Sequence, residues 1–339
     1  MPGVSVVESV LVIESPRRDE GCPLTLTPRR GEPAVSARPR RLWSDRPVTH
    51  SDEELVRLRS VAETVATEAA AFVRRRRAEV FGAEAAGVAG PDSGAVRTKS
   101  SPTDPVTVVD TETERLLRDR LAELRPGDPI LGEEGGGPTD PAATPAGSVT
   151  WVLDPIDGTV NFVYGVPAYA VSVAAQVNGE SVAGAVADVV GDRVYSAASG
   201  LGAHVTDGQG TQPLQCAAVE DVSMALLGTG FGYSRQRRAA QAALLARMLP
   251  VVRDVRRIGS AALDLCMVAS GRLDAYYEHG LKVWDRAAGA LIAAEAGARV
   301  VLPAHDAAGA GLVLAAAPGI ADELLAVLER FNGLDPILD

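Results

Sequence analysis

Apolar residues recur at Leu55, Leu58, Ala62, Val65, Ala69 and Phe72, the spacing of one helix face. Ser51 followed by Glu54 forms a capping-box pattern at the start of this helix, and Gly82 offers its stop. Arg74 to Arg77 fall in its last turns, where cations suit the helix dipole. A second helix is predicted from Thr111, with Glu114 closing another capping box, through Leu116, Leu117, Leu121 and Leu124 to Pro126-Gly127. The period then changes. Short apolar runs at Ile130-Leu131 and Val149 to Leu153 each end in carboxylates. Alternation marks strands at Tyr169 to Val177 and Ser181 to Val190, joined by Asn178-Gly179, a two-residue hairpin signal. Further strands are predicted at Arg193 to Ala197 and Ala203 to Val205. Helices are predicted at Arg238–Leu249, Ser260–Ser270, Arg286–Ala296 and Ala321–Phe331, with strands between them.

Helices and strands alternate without a strict βαβ rhythm, which predicts a mixed α/β layered sandwich rather than a barrel or a Rossmann domain. No repeat of fixed period is visible. Residues 1–50 break the pattern: eight arginines, six acids and seven prolines with no apolar periodicity predict a disordered extension. Residues 51–339 are expected to form a single domain, with sub-lobes near 51–208 and 209–339.

Composition narrows the chemistry. The chain has 339 residues, 46% hydrophobic and 23% charged, with a net charge of -11. That balance has little to offer a nucleic-acid backbone, and no basic stripe with interleaved aromatics follows. Cys22, Cys216 and Cys266 lie far apart without a C-x-x-C, and the four histidines never fall at metal-ligand spacing. Any metal is therefore expected to be hard and oxygen-bound. No apolar run approaches the roughly 18 residues of a membrane span. The apolar start is interrupted by Glu8 with no basic residue before it, a poor signal peptide, so a cytoplasmic location is expected.

The stretch Trp151-Val-Leu-Asp154-Pro-Ile-Asp157-Gly-Thr159 ends an apolar strand in two aspartates three residues apart. Carboxylates there can hold hard cations while backbone N–H groups face an anion. Gly158 allows close approach of phosphate, and the Thr159 hydroxyl can hold a water. Alone, the stretch also fits an Asx-type turn. Gly132-Glu133-Glu134-Gly135 alone fits a solvated loop, and Trp284-Asp285 alone fits a helix cap. Together they supply oxygen ligands for two or three Mg²⁺ ions. No Ser-His-Asp order or reactive cysteine setting is evident, which favours direct attack by water over a covalent intermediate. A nucleotide-binding module would rest on Gly228-Thr-Gly230-Phe-Gly232, but the third glycine of that fingerprint falls at Tyr233.

These residues carry a resemblance. Lys99-Ser-Ser-Pro-Thr-Asp104-Pro-Val-Thr-Val-Val-Asp110, Gly132-Glu133-Glu134, Asp154-Pro-Ile-Asp157-Gly-Thr159 with Asn161-Phe162, Gly259-Ser-Ala-Ala262, and Glu278 seven residues before Asp285 resemble the inositol monophosphatase family in order and spacing. The likeness runs from about Arg57 to the C-terminus. It implies a five-layered αβαβα sandwich, usually dimeric, that requires Mg²⁺ and is inhibited by Li⁺. By position, it implies that Glu133, Asp154 and the Ile156 carbonyl hold one metal, and Asp154, Asp157 and Asp285 the second. Thr159 and Asp110 would orient the attacking water, with Lys99 on a loop that closes over the metals. The amides of Gly158 and Thr159 would face the phosphate, while Asp157, the Ala261 N–H and Glu278 would contact ring hydroxyls, with Arg256 as a further contact. Relatives act on inositol 1-phosphate, fructose 1,6-bisphosphate, histidinol phosphate or 3′-phosphoadenosine 5′-phosphate. Val160-Asn161-Phe162 with Ala-Tyr-Tyr-Glu278 looks like the inositol branch. The expected partner is a small phosphorylated polyol.

Overall fold

The computed structural model describes residues 40–41, 50–82, 96–99, 105–140, 144–303 and 310–338. The elements run β1 (Arg40–Arg41), α1 (Asp52–Phe81), β2 (Val96–Thr98), β3 (Pro105–Thr107), α2 (Val108–Leu124), β4 (Ile130–Gly132), β5 (Val149–Asp157) and α3 (Thr159–Tyr164). Next come β6 (Ala170–Val177), β7 (Glu180–Asp188), β8 (Arg193–Ala198), β9 (Ala203–Asp207), β10 (Gly210–Pro213), β11 (Leu226–Thr229) and α4 (Arg235–Met248). The chain ends with β12 (Asp254–Arg256), α5 (Ala261–Ala269), β13 (Ala275–His279), α6 (Val283–Glu295), β14 (Arg299–Leu302), β15 (Leu312–Ala316) and α7 (Pro318–Arg330).

Two large sheets result. One has the order β10-β9-β8-β7-β6-β5-β4, the other β1-β14-β15-β13-β11-β12. Strand alternation assigns their faces. In β6, Val171, Val173, Ala175 and Val177 enter the core shared with α1 and α2, while Ala170 and Ala174 enter the layer shared with α5 and α6. In β15, Val313 and Ala315 face that same middle layer, and Leu312, Leu314 and Ala316 face α4 and α7. The stack is therefore α1α2, sheet, α5α6, sheet, α4α7: the five-layered αβαβα sandwich expected. Leu58 and Leu117 have no exposed surface, each burial contributing about 2 kcal/mol.

The hairpin forms as the dipeptide predicts. Asn178 at φ 52° and Gly179 at φ 78° both take the left-handed conformation that a type I′ turn requires.

Several expectations are corrected. The Arg74–Arg77 run lies more than a turn before the end of α1 and serves as anchors rather than dipole partners. Arg74 Nε donates to the Val189 carbonyl at 2.9 Å, and Arg77 Nε to the Phe162 carbonyl at 2.9 Å. α2 starts at Val108, not Thr111. Its capping box is Thr107 with Asp110, because Asp110 Oδ2 accepts the Thr107 backbone N–H at 2.8 Å. Within the segment expected to lack structure, Arg40–Arg41 pairs antiparallel with β14 at Leu302 and Val301. Except for His50, the rest of that segment lies outside the described residues, as do residues 100–104 of the loop beyond Lys99.

Candidate active site

β5 brings the apolar run Trp151-Val152-Leu153 through the core and delivers Asp154 and Asp157 at its end. Its pairing with β6 slips between Asp154 and Asp157. The slip coincides with Pro155, which has no N–H for the ladder and is tolerated in a central strand only at such irregularities. Asp154 Oδ1 accepts the Ile156 N–H at 3.1 Å, an Asx turn that fixes the carboxylate. Gly158 follows at φ 96°, with the Ala168 carbonyl 3.0 Å from where a Cβ would lie. α3 begins at once with Thr159.

Three further segments close on this turn. From α2, Asp110 faces Thr159, whose single hydroxyl proton is shared between Asp110 Oδ1 at 3.2 Å and the Ile156 carbonyl at 3.1 Å. From the start of α5, Ser260 Oγ donates to Asp157 Oδ2 at 2.5 Å and the Ala262 N–H at 2.7 Å. The Ala261 amide acts on Asp157 in the same sense, so this amide meets a carboxylate of the protein. From α6, Asp285 occupies the third helical position, not the cap itself, and accepts the Lys282 N–H at 2.6 Å.

Glu133 sits on the loop after β4. Lys99 Nζ donates to Glu133 Oε1 at 2.7 Å and to Glu134 Oε1 at 2.5 Å. The loop itself is shaped by a buried residue that sequence reasoning assigned to a cap. Glu114 Oε2 accepts the Glu134 N–H at 2.7 Å and Oε1 the Gly135 N–H at 2.8 Å, while Arg118 neutralises it at 2.8 Å. Glu114 itself is among the buried residues of α2. Asn161, at the start of α3, ties the turn to the segments before β6 and α5 by donating to the Ala168 carbonyl at 2.7 Å and the Ile258 carbonyl at 2.9 Å.

The acids raise one another's proton affinity. Burial, then the charges of Glu133, Asp157 and Asp285, hold Asp154 well above the usual carboxylate range. Asp285 is raised in the same way, by burial and then Glu133 and Asp157. Burial also raises Glu133, although Lys99 opposes it. Asp157 is pushed up to about 6 by burial, against its hydrogen bonds from Ser260 and the α5 amides. Asp110 is pushed up to about 7, again by burial, against two hydrogen bonds from Thr107. Lys99 is raised despite burial, because Glu133 and Glu134 favour its charge.

Among the described residues, no three Asp, Glu, His or Cys side chains close to the spacing of a loaded metal site. The Glu133 carboxylate is turned onto Lys99 instead. The donor set nevertheless fits hard divalent cations. Four carboxylates converge with no histidine or cysteine among them, and a cation would remove the repulsion that now raises their proton affinity.

A model of the inositol monophosphatase family matches residues 54–332. The chain belongs to the inositol monophosphatase family. As a member it is a phosphatase, a phosphoric monoester hydrolase. The inositol-1-monophosphatase SuhB of Mycobacterium tuberculosis is 74% identical over 293 residues, 86% of this chain and 100% of the relative. The inositol-1-monophosphatase of Mycobacterium leprae is 76% identical over 294 residues, again 86% of this chain and 100% of the relative. The solved structure of Mycobacterium tuberculosis SuhB superposes with a TM-score of 0.69, covering 84% of this chain and 100% of that one at 66% identity. No helix among the described residues of this phosphatase is long and apolar enough to cross a membrane.

On the far side of the phosphatase site lies Glu278 on β13, with Tyr276 Oη donating to its Oε2 at 2.5 Å. Burial pushes Glu278 up to about 7, opposed by Tyr276 and by the charge of Arg257. The arginine expected at the site was Arg256. Its guanidinium instead turns to Asp254 at 2.6 Å and to the Val255 carbonyl at 2.9 Å. Its neighbour Arg257 is the one whose charge acts on Asp157 and Glu278. Arg256 is the last residue of β12, whereas Arg257 lies just beyond it, where the chain turns toward Gly259 and α5.

Proposed function

We propose that this phosphatase hydrolyses a small polyol phosphate, inositol 1-phosphate above others, by direct attack of water with Mg²⁺ as cofactor. The observation that carries the reading is the Thr159 hydroxyl held between Asp110 and the Ile156 carbonyl, beside the four converging carboxylates. Glu133, Asp154, Asp157, Asp285 and the Ile156 carbonyl would hold two or three Mg²⁺ ions. When bound, these ions would supply positive charge to the phosphoryl oxygens and lower the pKa of water.

The chain's own groups do the rest. Thr159, with its proton directed at Asp110 or Ile156, presents a lone pair that accepts a hydrogen bond from the attacking water. Asp110, held near neutrality in its proton affinity, takes up the proton relayed through Thr159. The amides of Gly158 and Thr159 point along the start of α3 toward the phosphate. Lys99 compensates the charge of Glu133 and Glu134. Glu278 accepts a hydrogen bond from a ring hydroxyl. The 74% and 76% identical relatives named inositol-1-monophosphatase support this choice of substrate.

Phosphate release from inositol 1-phosphate should vanish in EDTA and return with Mg²⁺. Full turnover in chelator would sink the metal reading. A higher kcat/KM for fructose 1,6-bisphosphate or 3′-phosphoadenosine 5′-phosphate would overturn the substrate.

A further inference from the structure

β11 and β13 run parallel, with Gly228 opposite Tyr276. Tyr276 and Glu278 stand two apart on β13 and so share a face, turned toward the α5–α6 layer. Tyr276 is fully buried there, and its hydroxyl takes up Glu278 Oε2. β11 and the residue that follows it make room for both. A Cβ on Gly230 would overlap Glu278 Oε2, and one on Gly228 would lie 2.7 Å from Leu273 Cδ1 and 3.2 Å from Tyr276 Cδ2. The two glycines form the floor under the Tyr276–Glu278 pair, which accounts for the Gly-Thr-Gly spacing by packing alone.

We propose that Tyr276 is a positioning residue that holds Glu278 as the reader of a substrate hydroxyl, and so sets the preference for phosphate esters that carry one. The inference rests on the polyol-phosphate reading above. The phenol occupies Oε2 and leaves Oε1 as the acceptor for a ligand O–H. A carboxylate pinned before the ligand arrives loses less freedom on binding, and an O–H bond to a charged oxygen is among the stronger kinds. Burial keeps the phenol protonated and therefore a donor. Asp264, buried on α5 with its Oδ1 unbonded, also faces Gly228, at 3.1 Å from where a Cβ would lie. Burial, then the charges of Glu278 and Asp157, push Asp264 well above the usual carboxylate range.

The test compares kcat/KM for inositol 1-phosphate with that for 4-nitrophenyl phosphate, which has no hydroxyl to offer. The enzymes are the wild type, Tyr276→Phe, Glu278→Gln and the double variant, all with Mg²⁺. The ratio should fall about ten-fold in Tyr276→Phe, mostly through KM for inositol 1-phosphate, as expected for loss of one charge-assisted hydrogen bond. In the Glu278→Gln background, Tyr276→Phe should lower the ratio no further, because its effect passes through Glu278. Should Tyr276→Phe fail to fold, Gly230→Ala displaces the carboxylate with the phenol intact and should lower the same ratio. A ratio preserved in a Tyr276→Phe enzyme whose wild type prefers inositol 1-phosphate overturns the inference alone, as do losses that multiply in the double variant. A wild type with no such preference overturns the polyol reading and the inference together.

Discussion

Glu133, Asp154, Asp157 and Asp285 stand where strands end and helices begin; burial raises the proton affinity of all four, and the charges of others in the set add to it at Glu133, Asp154 and Asp285. Glu278 stands inside a strand, with a phenol at 2.5 Å and the charges of Arg257 and Arg237 acting on it. Both regions bury carboxylates, but they compensate them differently. On the side proposed for recognition the protein supplies its own donor and counter-charge. On the chemical side it supplies Lys99 to Glu133, and Ser260 with the α5 amides to Asp157, yet leaves Asp154 and Asp285 well above the usual carboxylate range. In the proposed reading catalysis is thereby conditional on a cation, whereas the reading of a hydroxyl is not.

The comparison is broken most strongly at Asp285. Asp285→Asn keeps the shape of the side chain but removes charge where a cation would be held. That charge is needed mainly in the transition state, so kcat should fall by about two or more orders of magnitude, with a smaller change in KM. Steady-state kinetics at saturating Mg²⁺ would check this, and a kcat near that of the wild type would remove Asp285 from the metal set.

Glu278→Gln probes the other side and should cost far less. One charge-assisted hydrogen bond is worth about 1.5 kcal/mol, so KM for inositol 1-phosphate should rise roughly ten-fold. Equal losses on inositol 1-phosphate and 4-nitrophenyl phosphate would mean that Glu278 acts at the chemical side after all.

The smallest effect sharpens the contrast through pH. Carboxyls raised in the native state bind more protons there than in the unfolded chain, where they titrate near 4. Stability of the metal-free protein should then be greatest at low pH within the native range and decline as pH rises through about 6 and 7, the values of Asp157, Asp110 and Glu278. Calorimetry in EDTA should show the midpoint dropping by several degrees between pH 5 and 8, at roughly 3 °C per kcal/mol. Mg²⁺ should raise it more at pH 8 than at pH 5. A midpoint that climbs with pH in EDTA would contradict the mutual repulsion of the acids.

Much of this was legible in the chain because it is local. Asp154-Pro-Ile-Asp157-Gly-Thr159 encodes its own turn through Pro155 and Gly158, and Asn178-Gly179 encodes its hairpin. What stayed hidden depends on partners distant in sequence. Thr107 and Thr111 both look like helix caps. Each opens a threonine-x-x-acid pattern, so the pattern alone does not choose Thr107, whose box with Asp110 is the one that forms. Glu114 resembles any helix-start acid until the loop at Glu134 and Gly135 is brought to it. Arg256 and Arg257 cannot be told apart by composition, because the end of β12 falls between them and only Arg257 brings its charge to Glu278. The Gly228 and Gly230 pair failed the nucleotide-binding fingerprint and was left without a purpose, since the sequence does not say which strand will lie alongside.

That floor of glycines also constrains how the enzyme could acquire another specificity. A Cβ at position 230 falls where the Glu278 carboxylate now stands, so a side chain there moves the acid. The two positions are therefore coupled whichever changes first: growth at 230 displaces the acid, and shortening the acid at 278 opens the space beside it. Either first step on a route from polyol esters to bulkier ones disturbs the reader of the old substrate before the new one has a place.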